Sequence, residues 1–381
     1  MLDTGTTGVN IDATQCPDGN RNDDMTSPLK ENSQVNPFDR SGTQSMQAIV
    51  QTAYGGTEAL RLTQAPLPPV PGHKEVLVRV HAAGVDRAVT HLLTGTPYLL
   101  RPLFGLRRPR NRVPGFDLAG RVVAVGSKVT HLRPGDDVLG VGSGSFAEYA
   151  RARADQLVLR PRKLDEIAGA VCAMSGVTAL QALRMSRRPM AGQDVLIIGA
   201  SGGVGAYAVQ LARCFGAKVT ALCSETKAEF VRALGADHVL DYRHFDTGAY
   251  RRSYDTIIDI AGNRPLARLR PLLTEQGTLV IVGGEHADPW TGGLGRQLSA
   301  WLMNPFVRQH LVPLVSIVSQ EDLRALAEHL ADGSVVPPLD RCFPLGEAPR
   351  ALDYLMAGHA RGKVAIVTRP FEGSGRTPSA E

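Results

Sequence analysis

Gly199-Ala-Ser-Gly-Gly-Val-Gly205 is the stretch on which the reading of this chain turns. The run Val195-Leu-Ile-Ile198 before it is apolar and strand-sized, and an apolar, helix-like segment follows it through Ala212. Written as Ala200-x-Gly202-x-x-Gly205, the turn is a dinucleotide fingerprint with alanine in place of the first glycine. Gly202 lets backbone approach a pyrophosphate, and Gly205 lets the helix close on its strand. The N–H groups around Ser201, Gly203 and Val204 then face phosphates at the positive end of the helix. The same residues also fit the hydrolase elbow G-x-S-x-G, in which Ser201 would need partners such as Asp259 and His286. The continuing glycine pattern and the end of the next strand favour the dinucleotide.

Downstream, strand patterns over 218–223, 238–242, 254–261 and 278–283 alternate with helical patterns over 226–234 and 266–273. That alternation predicts an α/β, doubly wound parallel sheet over 171–315. Upstream, residues 46–170 read as a mostly β domain, with strands near 76–80, 119–125, 138–139 and 146–150 and turns such as Arg133-Pro-Gly-Asp-Asp137. A helix over 321–331 and a strand over 363–367 lie within 316–370, the segment expected to return to the first domain. Residues 1–45 are polar and aperiodic and are expected to be a disordered tail, with Met46 an alternative start; 371–381 form a second disordered tail.

At 381 residues the chain has length for two domains. No run approaches the roughly 18 apolar residues of a membrane span, so no membrane partner is expected, and the location is read as cytoplasmic. A net charge of +5 without interleaved aromatic and basic residues gives no nucleic-acid surface. The five cysteines form no CxxC pair, and no metal site is expected.

The second strand of the nucleotide-binding half ends Leu222-Cys-Ser-Glu-Thr-Lys227. An NAD enzyme usually has a carboxylate there for the ribose hydroxyl. Leu222 takes that place, while Ser224 and Lys227 can donate to a 2′-phosphate. With Glu225 turned outward, the cofactor expected is NADPH.

Pro114-Gly-Phe-Asp-Leu-Ala-Gly120, Arg133-Pro-Gly-Asp-Asp137, Gly144-Ser-Phe-Ala-Glu-Tyr149, the fingerprint, Leu234-Gly-Ala-Asp-His-Val-Leu-Asp-Tyr242 and Gly358-His-Ala-Arg-Gly-Lys-Val364 occur in that order. In this the chain resembles the medium-chain dehydrogenase/reductase superfamily, and within it the zinc-independent quinone oxidoreductase and enone-reductase branch. The resemblance covers 46 to about 368. It implies a GroES-like catalytic domain with the Rossmann domain inserted, and a cleft between them. It places Tyr242 near the adenosine phosphate, Asn263, Val282 and Gly283 along the cofactor, Thr178 beside the nicotinamide, and Lys363 at the cofactor side of the cleft. It also implies a homodimer. The segment 290–311, with Trp301 and Phe306, would lie at that interface or form a buried loop and helix.

Where zinc dehydrogenases of the superfamily carry a ligand cysteine, this chain has Asp86; where they read Gly-His-Glu it has Gly115-Phe-Asp117; their third ligand falls near Met174. Phe and Met cannot serve as zinc ligands of that kind. Without a Lewis acid, a conjugated acceptor is the easier substrate, because delocalisation carries hydride-derived charge to oxygen. The expected activity is therefore hydride transfer from NADPH to a small-molecule quinone or enone. The alternatives are an alcohol or carbonyl dehydrogenase and an NADPH-gated RNA-binding protein. Tyr98 is the candidate proton donor, or a loop aromatic; Asp86 is a candidate for substrate or ribose hydrogen bonding, or a structural turn residue.

Overall fold

The computed structural model describes residues 45–245, 247–250, 253–283, 290–292 and 294–368. The tails expected at 1–45 and 371–381 lie outside these residues, except that Ser45 opens the first strand. Strands β1 (Ser45–Gln51) and β2 (Leu60–Pro66) form an antiparallel pair. The next five are β3 (Glu75–Val85), β4 (Asp117–Val125), β5 (Asp137–Val141), β6 (Tyr149–Arg153) and β7 (Leu157–Leu159). They build most of a seven-stranded sheet, with β6 paired to β3 off the main path.

The strand expected over 146–150 sits three residues later. Phe146 is fully buried, its N–H is spent on the Pro114 carbonyl and its carbonyl accepts from Ile49 of β1, so its backbone is spent away from the β3–β6 ladder.

The second sheet is wholly parallel. It comprises β8 (Asp194–Ile198), β9 (Lys218–Cys223), β10 (His238–Asp241), β11 (Tyr254–Asp259), β12 (Leu273–Ile281) and β13 (His310–Pro313), in the order β10-β9-β8-β11-β12-β13. That is the doubly wound order, and the strand order changes sense between β8 and β11. The unbroken apolar run in β8 now has its reason. Val195 and Ile197 face a cluster with Tyr207 and Leu211 of the fingerprint helix, while Leu196 and Ile198 face one with Leu269 and Leu279. Helices cover both faces, so every side chain of the run is buried. Each such burial stabilises the fold by about 1.5–3 kcal/mol.

The chain returns to the first sheet through β14 (Leu339–Pro344) and β15 (Lys363–Val367), the latter antiparallel to β3. The helix Gln320–Asp332, expected with that return, packs its Leu323, Leu326 and Leu330 into the cluster that holds Val177 and Leu180 of helix Ala173–Arg184. The helix over 226–234 begins with a 3-10 turn, Glu225–Lys227, and that over 266–273 ends in one, Arg270–Leu272. Trp301 and Phe306 stand exposed, which removes the buried-helix reading of their segment.

Candidate active site

The carboxyl ends of β8, β9, β11 and β12 converge on the fingerprint. Gly199 and Ala200 donate to the Leu222 carbonyl, Ile260 and Ala261 to the Ile198 carbonyl, and Val282 and Gly283 to the Asp259 carbonyl. Gly199 has φ +87, a conformation that suits glycine. Gly202 caps the helix Gly203–Cys214, and a Cβ there would meet nothing closer than the Gly199 carbonyl, at 3.6 Å. At Gly205 a Cβ would lie 2.2 Å from that same oxygen. The two glycines therefore do different work: one leaves room for a ligand, the other lets the helix sit down.

The elbow alternative loses its acid. Asp259 is buried, ion-paired with Arg296, and accepts the Gly262 N–H at 3.1 Å; His286 is outside the described residues.

Around the end of β9, Ser224 Oγ lies 3.2 Å from Thr226 Oγ1, and Glu225 points outward and pairs with Arg243. Lys227 is half-buried and its Nζ donates to the carbonyls of Gly358 and Ala360, at 2.7 Å each. Burial lowers its pKa. Tyr242 is exposed, and its carbonyl accepts from Arg264 at 2.9 Å. Arg243 and Arg264 add cationic groups at this rim that sequence reasoning did not single out; each directly follows or faces a residue that it did. Asn263 is exposed in the loop after β11. The C-terminal loop runs over the fingerprint: Gly362 donates to the Ser201 carbonyl at 2.9 Å and bridges Gly202.

Lys363 follows, directly after the residue that meets the fingerprint. It is almost wholly buried, bonded to Asp86 Oδ1 and 3.4 Å from Asp117 Oδ2, with its stem against Gly203 and Ser175. Asp117 Oδ1 accepts the Met174 N–H at 2.8 Å, and Ser175 Oγ donates to Asp86 Oδ1 at 3.2 Å. Burial, then the charge of Asp86, raise the Asp117 pKa well above the carboxylate range, against the pull of Lys363. Burial works against the Lys363 charge, but Asp86 and Asp117 outweigh it and the Lys363 pKa rises. Asp86 Oδ2 stays buried with no hydrogen-bond partner among the described residues.

A cavity of about 440 Å³ adjoins this cluster, with Phe116, Val141, Met174 and Val318 supplying apolar wall and Glu75, Ser143, Arg151 and Ser316 polar wall. Thr178 stands behind it, donating to the Met174 carbonyl at 2.7 Å, with its Oγ1 2.9 Å from the Ser316 hydroxyl. Tyr98 is not part of that lining. Its ring meets Trp290 edge-on at 5.3 Å, and Arg101 lies 4.5 Å from its centroid. The structure thus brings together Asp86, Met174, Lys363 and the fingerprint, and leaves Tyr98 on a neighbouring loop. Among the described residues no group of three His, Cys, Asp or Glu is arranged to hold a metal.

A doubly wound sheet with a glycine fingerprint, joined through a buried lysine to a mostly β domain, defines a two-domain dehydrogenase or reductase. Residues 71–162 match the alcohol dehydrogenase GroES-like domain and 234–366 the zinc-binding dehydrogenase family. The chain is 33% identical to a chloroplast envelope quinone oxidoreductase homolog of Arabidopsis thaliana, over 84% of this chain and 98% of that protein. It is 29% identical to a mitochondrial NAD(P)H oxidoreductase of Bos taurus, over 84% and 89%. The solved quinone oxidoreductase of Coxiella burnetii superposes with a TM-score of 0.74 at 28% identity, covering 85% of this chain and all of that one. The chain belongs to the medium-chain dehydrogenase/reductase superfamily, in its quinone oxidoreductase-like branch. It is an oxidoreductase whose fold serves a nicotinamide cofactor.

Proposed function

We propose that this enzyme reduces a quinone or an α,β-unsaturated carbonyl with NADPH and without zinc. The observation that carries the reading is the cluster at the ligand positions of the zinc enzymes. Lys363 fills the space between Asp86 and Asp117, and Phe116 and Met174 line the adjacent cavity. A fixed ammonium and two carboxylates leave no open tetrahedral donor set there.

The site fits a dinucleotide. Gly202 leaves open space at a helix N-terminus, where backbone N–H groups would hold the pyrophosphate. Asp86 Oδ2, buried and unpartnered, suits a hydroxyl donor such as a ribose. Val282, Gly283 and Asn263 would flank the cofactor, and Thr178 would back the nicotinamide. For the 2′-phosphate, Ser224, Lys227, Tyr242, Arg243 and Arg264 surround the end of β9, and Leu222 stands where NAD enzymes carry an acid.

When bound, the nicotinamide supplies hydride. This chain's residues orient the acceptor in the cavity, with Met174 and Phe116 against its ring and the hydroxyls of Ser143 and Ser316 available to its oxygen. Relatives named quinone oxidoreductases support the acceptor class.

The test is NADPH oxidation against a panel of quinones, enals and enones, with matched saturated ketones and NADH as controls and metal analysis of the same sample. Turnover of conjugated acceptors by zinc-free protein is expected. Preference for the saturated ketone, or activity that tracks bound zinc, refutes the reading.

A further inference from the structure

The segment 98–112, Tyr-Leu-Leu-Arg-Pro-Leu-Phe-Gly-Leu-Arg-Arg-Pro-Arg-Asn-Arg, is absorbed by neither the fold nor the chemistry above. Its apolar side chains point into water: Leu99 is 57% exposed, Leu103 65% and Leu106 69%. Its basic arm is exposed as well, at Arg107, Arg108, Arg110 and Arg112. Between 87 and 116 there are six arginines and no Asp or Glu. Trp290, 67% exposed, packs on Tyr98, and the stretch 290–320 that it opens also has no Asp or Glu.

The segment is built and not loose. Arg110 N–H bonds the Phe104 carbonyl at 2.8 Å, folding the basic arm back on the apolar one, and Gly105 N–H bonds the Arg101 carbonyl at 2.7 Å. Tyr54 donates to the Gly105 carbonyl at 2.6 Å. Arg101 donates to the Gly95 carbonyl and stacks against both Tyr54 and Tyr98. Among the described residues no carboxylate pairs with Arg107, Arg108, Arg110 or Arg112.

We propose that this loop is a docking surface for an anionic lipid bilayer. Exposed leucines beside a cluster of cations, with no anion among them, match both parts of such a surface: acyl chains for the leucines, headgroup phosphates for the arginines. No helix among the described residues is long and apolar enough to cross a membrane, so the contact is peripheral. A second copy fits the face poorly, because an isologous contact would set arginine against arginine. Nucleic acid would use the cations but leave the leucines in water. The loop begins at Tyr98, on the catalytic domain, so docking holds that domain against the phase in which lipophilic acceptors dissolve.

The test is co-sedimentation of the full chain with vesicles of phosphatidylcholine alone and of phosphatidylcholine with about 30% phosphatidylglycerol, at low and high salt. The protein is expected on the anionic vesicles only, and less of it at high salt. Leu103→Glu with Leu106→Glu should abolish binding. Arg107→Gln, Arg108→Gln and Arg110→Gln together should lower partitioning by about a hundredfold, since each cation near an anionic surface is worth roughly fivefold. Both variants should keep wild-type turnover of a water-soluble quinone, which shows them folded. The proposal is overturned by equal binding to neutral and anionic vesicles, by no binding, or by variants that partition like wild type. It is also overturned if the variants change oligomeric state instead of partitioning, or if an oligonucleotide is retained by the leucine variant that vesicles no longer hold.

Discussion

Replacing Lys363 by Met removes the cation that faces Asp86 and Asp117 and keeps most of the side-chain volume. In the wild type burial and the charge of Asp86 raise the Asp117 pKa, and Asp86 is paired with the ammonium. After the substitution Asp86 keeps the Ser175 hydroxyl, 3.2 Å away, and the neighbouring Asp117 carboxyl, but has no cation facing it. An unpaired carboxylate so deeply buried takes up a proton, and its folded pKa rises above the unfolded value of about 3.9. A group shifted in that direction favours the folded state below the unfolded pKa and loses that contribution as pH rises. The deficit of Lys363→Met is therefore smallest near pH 4 and grows by about 1.36 kcal/mol per pH unit. Over roughly three units to neutrality this comes to about 4 kcal/mol, within the ~3–5 kcal/mol expected when one partner of a buried ion pair is lost. Urea unfolding of variant and wild type across that pH range measures it. The double variant with Asp86→Asn should recover most of the loss at neutral pH. A deficit below about 1 kcal/mol, or one that does not change with pH, refutes the reasoning.

Three further expectations concern the cofactor and the cleft. Gly205→Ala forces a methyl to 2.2 Å from the Gly199 carbonyl; overpacking of this kind costs roughly 1–3 kcal/mol. It should lower the thermal midpoint and weaken NADPH in a fluorescence titration, and an unchanged midpoint contradicts it. Lys227→Glu should raise KM for NADPH at least about tenfold more than for NADH, a difference of ~1.4 kcal/mol. An equal effect on both reduces Lys227 to the tether of Gly358 and Ala360 seen here. Tyr98→Phe should leave kcat within about twofold, because the ring packs on Trp290 outside the cavity lining; a fall of a hundredfold would make it a proton donor after all.

Local rules carried the nucleotide-binding half a long way. β9 and β15 run over the residues expected, because β-branched and apolar runs between glycines need no distant partner to declare themselves. The region around Phe146 read less well. Its apolar character reported burial, and burial does not specify whether backbone pairs with a strand or with loops. The exposure of Leu103 and Leu106 is visible only in the structure, which leaves them in water.

The sequence by itself determined that the protein binds a dinucleotide in a doubly wound sheet, because the fingerprint, its strand and its helix are neighbours in the chain and their geometry follows from glycine and period alone. It also led to the expectation that the zinc ligands are replaced, which is a matter of residue identity. Only the tertiary structure decided what took their place. Asp86 and Lys363 are 277 positions apart, and Asp117 comes from a third strand. No local pattern encodes their meeting; it arises because β15 returns to pair with β3 and sets the lysine beneath the fingerprint. A charge that would be an ordinary surface lysine in the unfolded chain is held there by burial between two carboxylates, against Gly203 of the fingerprint helix.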